Sequence, residues 1–330
     1  MTSMKLQKPP ISILMSVCNG EAHLQNALKS ILCQTFSNFE FIIIDDASRD
    51  NSPCILESYK RKDHRIRIIQ NDQNLGLTKS LNNGLENATG VFIARQDADD
   101  LSLPDRLEKQ YQYFLRHPDL CLVSSSACII DAHGKEIFPS HYRLNQAQIM
   151  NHMKRHNIIT HGSVMFRRKE ILDLGGYREH FQYAQDYDLW LRIIEKYKIH
   201  IIPEYLYKVR ISFENISMKK CIYQKEFADI AKKMHRQRKK TGKDHYDRFF
   251  KTFNPASLAN SGKKGYARYH YLKAMYLLGE DKLGLMRKEL FHSLKYFPLD
   301  PNVYFYLFIS VFGLKIISVL RKVRDYIYKY

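Results

Sequence analysis

Sulfur is scarce and scattered. The six cysteines, Cys18, Cys33, Cys54, Cys121, Cys128 and Cys221, form no Cys-x-x-Cys pair and no dense framework. That spacing excludes a zinc ribbon and a disulfide scaffold, and several of the six sit in apolar runs, as Cys121 does in LCLV. Buried free thiols in a reducing compartment are therefore expected. Long apolar runs are also missing. The nearest approach to a membrane span, Val303 to Leu320, is broken by Gly313 and Lys315, whereas a transmembrane helix needs roughly 20 apolar residues in succession. The opening MTSMKLQKPPISILMSV has a short apolar stretch, two prolines and no small-residue cleavage pattern, so it does not read as a signal peptide. A cytoplasmic address follows as the expectation.

What is present in excess is positive charge, and it is unevenly placed. Net charge is +18; residues 1–207 hold about 25 basic and 24 acidic side chains, residues 208–330 about 27 and 10. The last third carries nearly the whole excess, as in chains that meet a polyanion or an anionic membrane face. The apolar fraction of 45% fits a globular protein with a sizeable core.

Through residue 116 the chain alternates strand and helix patterns. Ile11–Val17 reads as a strand, and Leu24, Ala27, Leu28, Ile31 and Leu32 then recur at helical spacing. FEFIIID, Phe39–Asp45, is a near-continuous apolar run, as in a strand covered on both faces. Ser52-Pro53 opens a helix to about Lys60, and Arg65–Gln70 is a third strand. Leu77, Leu81, Leu85 and Ala88 mark a helix, Val91–Ala94 a fourth strand, and Pro104 precedes a helix to about Arg116. Four such alternations imply an α/β fold with a mostly parallel sheet flanked by helices. Later, Leu120–Ser124 and Ile158–Arg167 read as strands, Asp131–Gly134 as a hairpin turn and Gly175-Gly176 as a break. Asp186–Tyr197 carries Leu189, Trp190, Ile193 and Ile194 on one helical face, which marks Trp190 as core. Beyond Ser217 the chain turns basic, Tyr-rich and helical.

Two acidic groups fall at strand carboxyl ends, where ligands of parallel sheets bind. Asp97, Asp99 and Asp100 follow the fourth strand; their mutual repulsion is relieved by a hard divalent cation with oxygen ligands. Asp45-Asp46 closes the second strand, where a fixed carboxylate can read a base or ribose.

The order of ISILMSVCNGEAHLQNALKSILCQTFSNFEFIIIDDASRDNS, NDQNLGLTKSLNNGLENATGVFIARQDADD and LPDRL resembles the family-2 glycosyltransferases over roughly Ile11 to Ser217. The resemblance implies a GT-A fold over residues 1–217, with a nucleotide-binding half at about 1–100 and an acceptor half at about 101–217. Residues 218–330 form a basic helical C-terminal region. By position, Asp46 resembles the contact to the uracil of a UDP donor, and Ser16 lies in the first nucleotide loop. Asp97 and Asp99 match the DxD motif, in which the second Asp holds a Mn²⁺ or Mg²⁺ ion on the diphosphate. Asp186, in AQDYDLWLR, matches the catalytic base; Asp188 is its neighbour on the same helix. Gln185 stands where the family commonly has Glu, and Arg210 where a His is usual, so Arg210 is a candidate phosphate contact. His161 either lines the acceptor side or is structural.

The implied reaction is a single inverting displacement. A sugar moves from a nucleotide-sugar to a hydroxyl of a glycan or lipid-linked acceptor, and no Ser or Cys nucleophile is required. Polysaccharide, lipopolysaccharide or capsule synthesis is the implied setting, and nucleic acid is not an expected partner. VYFYLFISVFGLKIISVL, followed by Arg321, Lys322 and Arg324, suits either a helix on the cytoplasmic face of the inner membrane or a helix buried in protein. A nucleotidyltransferase predicts a Gly-rich basic first loop, and VCNGEAHL has one glycine and no Lys or Arg. A degenerate binding protein is disfavoured by the intact Asp97, Asp99 and Asp186.

Overall fold

The computed structural model describes residues 8–140, 143–211, 221–253, 263–279 and 282–311. The chain divides into two compact units, residues 1–127 with 142–209, and residues 128–141 with 210–330. The boundary expected at Ser217 falls outside the described residues.

The first unit is built on the expected alternation: β1 (Ile11–Val17), α1 (Glu21–Leu32), β2 (Phe39–Asp45), α2 (Ser52–Lys60), β3 (Ile66–Gln70), α3 (Leu77–Asn87) and β4 (Phe92–Arg95). There follow β5 (Leu101–Ser102), α4 (Arg106–Arg116) and β6 (Leu120–Ile130), whose last three residues, with β7 (Glu136–Ser140), belong to the second unit. Next come α5 (Gln146–Met153), β8 (Met165–Arg167), α6 (Arg168–Asp173), α7 (Gln185–Lys196) and β9 (Lys198–Arg210). The strands join in the order β3-β2-β1-β4-β8-β6-β9-β5, with β7 on β6. The first four pair in parallel, and β8 runs antiparallel to β4 and β6, as β5 does to β9.

Alternation along β1 explains the layers. Ile11, Ile13, Met15 and Val17 share a core with Leu24, Ala27, Leu28 and Ile31 of α1. The opposite face presents Leu14 to α3, and a Cβ on Gly84 would stand 2.0 Å from a Leu14 methyl. Glycine is the side chain that lets α3 approach this closely. The parallel order also creates a switch point, because successive strands step to one side of β1 while β4 lies on the other. Leu14 is level with Arg95, the last residue of β4, whereas Val17 is level with Asp45. The switch point therefore lies between β1 and β4, the place where such sheets hold ligands.

Several expectations change. Ile158–Arg167 is a strand only at Met165–Arg167; His161–Ser163 is a 3₁₀ turn closed by Ser163 N–H and Oγ donating to the Thr160 carbonyl, at 3.1 and 2.9 Å. The apolar run is broken because Gly162 packs on the Tyr207 hydroxyl and the Asp97 carboxylate, where a Cβ would lie 2.0 and 2.9 Å away. Apolar pattern alone does not register that approach. Of the described cysteines, Cys18, Cys33 and Cys54 are exposed and Cys121 and Cys128 buried. Trp190 is fully buried, as its helical face predicts.

The second unit holds α8 (Cys221–Thr241), α9 (Tyr246–Thr252), α10 (Lys263–Gly279), α11 (Leu283–Tyr296) and α12 (Pro301–Ser310). Ala274, Met275, Leu278, Met286, Leu290 and Val303 form its apolar core. The expected apolar stretch 303–320 is helical through Ser310, and residues 312–320 lie outside the described part. No helix among the described residues is long and apolar enough to cross a membrane.

Candidate active site

The loops beyond β1, β2 and β3 are built by short polar side chains. The Asn19 amide donates to Ser48 Oγ at 3.0 Å, Gly20 N–H to Ser52 Oγ at 2.9 Å, and Glu21 N–H to Asp50 Oδ2 at 2.9 Å. Asn19 and Ala47 take left-handed backbone, with φ of 54° and 57°. Asp46 is buried and accepts from Asn71 Nδ2 at 2.8 Å, Leu75 N–H at 2.8 Å and Gly76 N–H at 2.9 Å. A carboxylate has about four acceptor positions, so three of them hold the 71–76 loop and one remains. These loops line a cleft of about 770 Å³, bounded by Cys18, Asn19, Ala47, Ser48, Arg49 and Gln70–Asn74. Its size falls within the roughly 300–1,000 Å³ of small-molecule sites. Ser16 lies half-buried near the end of β1.

The second cluster stands beyond β4. Gln96 donates to the carbonyls of Asp97 and Asp100, both at 3.0 Å, and accepts from Ser102 Oγ at 2.6 Å, which fixes the Asp97–Asp100 turn. Buried Arg95 donates to Asp97 Oδ1 at 2.6 Å, to His161 Nε2 at 3.4 Å and to the Leu14 carbonyl. Asp97 N–H donates to the Tyr207 hydroxyl at 3.1 Å, and β9 carries Tyr207 there through its pairing with β5. Arg106, of LPDRL, lies over the Tyr207 ring and donates to the carbonyls of Arg95 and Gly162, both at 2.9 Å. Burial lowers its pKa to about 10, so it stays charged at neutral pH. Asp97 and Asp99 are half-buried and Asp100 buried.

His161 Nε2 is also 2.9 Å from the Tyr177 hydroxyl. A guanidinium N–H only donates, so Nε2 accepts and the ring proton belongs on Nδ1. Burial, with the Arg95 charge beside it, pushes the imidazole well below its ordinary pKa, so the ring is neutral. Tyr177 is held from α3, where Asn82 Nδ2 donates to its carbonyl at 2.8 Å and Asn82 Oδ1 accepts its N–H at 2.9 Å.

Asp186 lies in the first turn of α7, whose cap Ala184 is in left-handed backbone at φ 61°. Asn157 Nδ2 donates to its Oδ2 at 2.8 Å. Burial pushes its carboxyl up to about 6, against the hydrogen bonds from Tyr187 N–H and Asn157, with the Asp97 charge raising it further. A carboxylate poised near neutral pH fits a proton acceptor. Asp188 is different: fully buried, it meets Arg192 at 2.9 Å and Arg178 at 3.7 Å. Breaking such a buried pair typically costs about 3–5 kcal/mol, so Asp188 is a structural ion-pair partner. Gln185 is buried beside them.

Asp97, Asp186 and His161 therefore come together, with Asp99 on the same turn as Asp97. Asp46 and Ser16 belong to the loops of the parallel strands. Arg210 lies in the other unit, where it is buried and donates to the carbonyls of Asp131 and Ala132 at 2.9 and 2.8 Å. Residue patterns missed Arg95, Asn157 and Tyr177. A charged residue closing the apolar VFIAR run was a usable signal for Arg95; the other two carry none.

The donors of the Asp97–Asp100 turn are hard oxygens and suit Mg²⁺ or Mn²⁺. Arg95 donates to Asp97 Oδ1, and Asp97 Oδ2 and the Asp99 carboxylate are further hard oxygens on the same turn. The residues fit such an ion.

Residues 12–175 match the family model of glycosyl transferase family 2. An uncharacterized glycosyltransferase of Methanocaldococcus jannaschii is 36% identical over 72% of this chain and 82% of its own length. The putative glycosyltransferase EpsE of Bacillus subtilis is 33% identical over 85% of this chain and 99% of its own. Among solved structures, S. aureus TarS in complex with UDP-GlcNAc superposes with a TM-score of 0.57 at 14% identity, over 94% of this chain and 91% of that one. The mannosyltransferase PcManGT from Pyrobaculum calidifontis, in complex with GDP-Man and Mn²⁺, superposes with a TM-score of 0.52 at 15% identity, over 96% and 88%.

Proposed function

The chain belongs to glycosyl transferase family 2, and from that premise we propose that it moves a sugar from a nucleotide-diphosphate sugar, with UDP as the nucleotide, to a hydroxyl of a glycan or lipid-linked acceptor with inversion. The observation that carries this reading is a buried Asp186 close enough to feel the charge of Asp97, on the acidic turn that follows β4 at the switch point of a parallel sheet. The nucleoside lies in the cleft of Cys18, Ala47 and Asn71, where Asp46 has one acceptor position left and Ser16 adds a hydroxyl.

The acceptor hydroxyl is a weak nucleophile, and the Asp186 carboxylate removes its proton as attack proceeds. Asn157 fixes the orientation of that carboxylate. Such base help is typically worth about 10²- to 10⁴-fold. Asp99, with Asp97, would hold a Mn²⁺ or Mg²⁺ ion, which supplies Lewis-acid stabilisation of the leaving diphosphate. Neutral His161 cannot supply a charge; its place is to hold Arg95 and Tyr177 around the acceptor side. Gln185 offers an amide to the same region, and Arg210 serves the β6–β7 turn rather than a phosphate.

The setting proposed is polysaccharide, lipopolysaccharide or capsule synthesis on the cytoplasmic face of the inner membrane. Support comes from the second unit, where Phe291, Tyr304, Phe308 and Val311 are exposed around a groove that Arg287 also lines. Apolar rings beside a cation on a strongly basic unit match an anionic lipid surface. Co-sedimentation with phosphatidylglycerol vesicles, weakened by salt and absent with phosphatidylcholine, is the expected result; failure to bind either vesicle removes the membrane contact.

Binding and slow hydrolysis of UDP-, GDP- and dTDP-sugars, with Mn²⁺, Mg²⁺ or EDTA, tests the donor. Metal-dependent binding of a UDP-sugar, lost in Asp99→Ala, is the outcome expected. Preference for GDP- or dTDP-sugars corrects the nucleotide, and absence of any nucleotide-sugar binding overturns the reading.

A further inference from the structure

The α10–α11 hairpin of the second unit contains polar groups that its packing does not need. Its core is apolar, closed by Ala274, Met275, Met286 and Leu290, with Ser293 Oγ donating to the Ala267 carbonyl at 2.8 Å. Beside that core, His270 of α10 faces Glu289 and His292 of α11. Glu289 is buried, at 8% exposure, His270 is half-buried and His292 exposed. His270 Nδ1 lies 2.7 Å from Glu289 Oε2, and the two imidazole rings lie 5.1 Å apart at 83°. One ligand atom from each of the three residues lies within 4.8 Å of the other two.

We propose that this hairpin holds a zinc ion between His270, Glu289 and His292, separate from the carboxylates of the transfer site.

Spacing and chemistry both favour it. Glu289 and His292 are three apart, so one turn of α11 puts both on the same face. His270 approaches from the other helix, and the ring of Tyr296, stacked on it at 5.7 Å and 6°, fixes its plane. Lys273 Nζ holds the second carboxylate oxygen, Glu289 Oε1, at 2.7 Å. That leaves Oε2 as a single-point ligand, and the ammonium keeps the buried carboxylate ionised when no ion is bound. Two imidazoles and one carboxylate form the donor set of an open zinc site, with solvent on the His292 side as the fourth ligand. Mg²⁺ and Ca²⁺, which prefer all-oxygen surroundings, are disfavoured. Ligand atoms around tetrahedral zinc stand roughly 3.3–3.5 Å apart for bonds of about 2.0–2.2 Å. The short His270–Glu289 contact has to open slightly and the widest separation to close, both within side-chain rotation. The ion would tie α10 to α11 and raise the stability of the hairpin.

The test uses the full chain carrying Asp97→Asn and Asp99→Asn, stripped of metal, so that neither transfer-site carboxylate contributes. Zinc is titrated against a chromophoric chelator, and the melting temperature is read with and without zinc. One equivalent binding with a dissociation constant of about 1 µM or tighter, and a zinc-dependent rise in melting temperature, are expected. His292→Ala, an exposed position whose loss leaves the packed core intact, weakens uptake at least about tenfold and abolishes the rise, as three-ligand binding requires. Millimolar Mg²⁺ does not displace the ion. Equal zinc uptake in the parent and in His292→Ala would assign it to scattered surface histidines and overturn the proposal. So would no uptake at about 100 µM zinc.

Discussion

Beyond β2, the Asp46 carboxylate is occupied by donors from Asn71, Leu75 and Gly76, a loop that has this carboxylate as its shared anchor. In the first turn of α7, the Asp186 carboxylate takes Asn157 and a helix amide, and burial still raises it to about 6. Both are aspartates in acidic motifs at the ligand-binding end of the same unit. One stabilises its own loop; the other is held in a state that costs stability, which the proposed reaction would use for proton transfer. The difference lies in what the donors around each carboxylate would do without it, which residue type and spacing do not record.

The comparison breaks most readily on rate. Asp186→Asn keeps an oxygen for Asn157 but cannot accept the acceptor proton, so transfer slows by about 10²- to 10⁴-fold. Donor affinity measured by calorimetry stays within about threefold, since a change in transition-state stabilisation alone leaves ground-state binding intact. In the wild type, kcat/KM falls about tenfold per pH unit below about 6, the limb of a single essential base.

On stability the two positions separate in sign. Asp46→Ala leaves three donors facing a void, at a cost of about 3 kcal/mol by urea unfolding. Asp186→Asn goes the other way. The folded carboxyl titrates near 6 against about 3.9 unfolded, so the native state holds the proton more tightly. Wild-type stability therefore falls as pH rises from 4 to 6, and the penalty is constant above that. At pH 7 the Asn variant is more stable by about 1–2 kcal/mol, a figure reduced for solvent at the site's mouth, and its advantage vanishes near pH 4. Equal effects of both substitutions at pH 7 would remove the distinction.

The smallest effect belongs to the backbone. Ala184→Gly relieves a left-handed φ of 61° immediately before α7. Stability gains of no more than about 0.5 kcal/mol are expected, because glycine also loosens the unfolded chain.

The parallel half was legible because each strand and helix carries its own period; β2 and α2 begin and end where the residue pattern places them. The antiparallel half was harder. β9 was unread as a strand because its exposed Glu204 and Tyr205 interrupt alternation, and its partner β5 is two residues long. The His161–Ser163 turn follows from a close approach of Gly162 to residues 97 and 207, a contact distant in sequence. Within the site, Asp97, Asp99 and Asp186 stood out as charges in recognisable motifs. Asn157 and Tyr177 did not, since their placement depends on α7 and on Asn82 of α3. The motif resemblance already favoured Asp186 over its neighbour Asp188, and the buried Arg178 and Arg192 contacts of Asp188 are in keeping with that choice.

The most direct test of the account is a parallel measurement on Asp186→Asn, with the preferred nucleotide-sugar and Mn²⁺: donor affinity by calorimetry and single-turnover transfer to an acceptor. Near wild-type donor affinity with transfer at least about 100-fold slower is the predicted result. Transfer within a few-fold of wild type would contradict Asp186 as the base and return the question to the other carboxylates of the site.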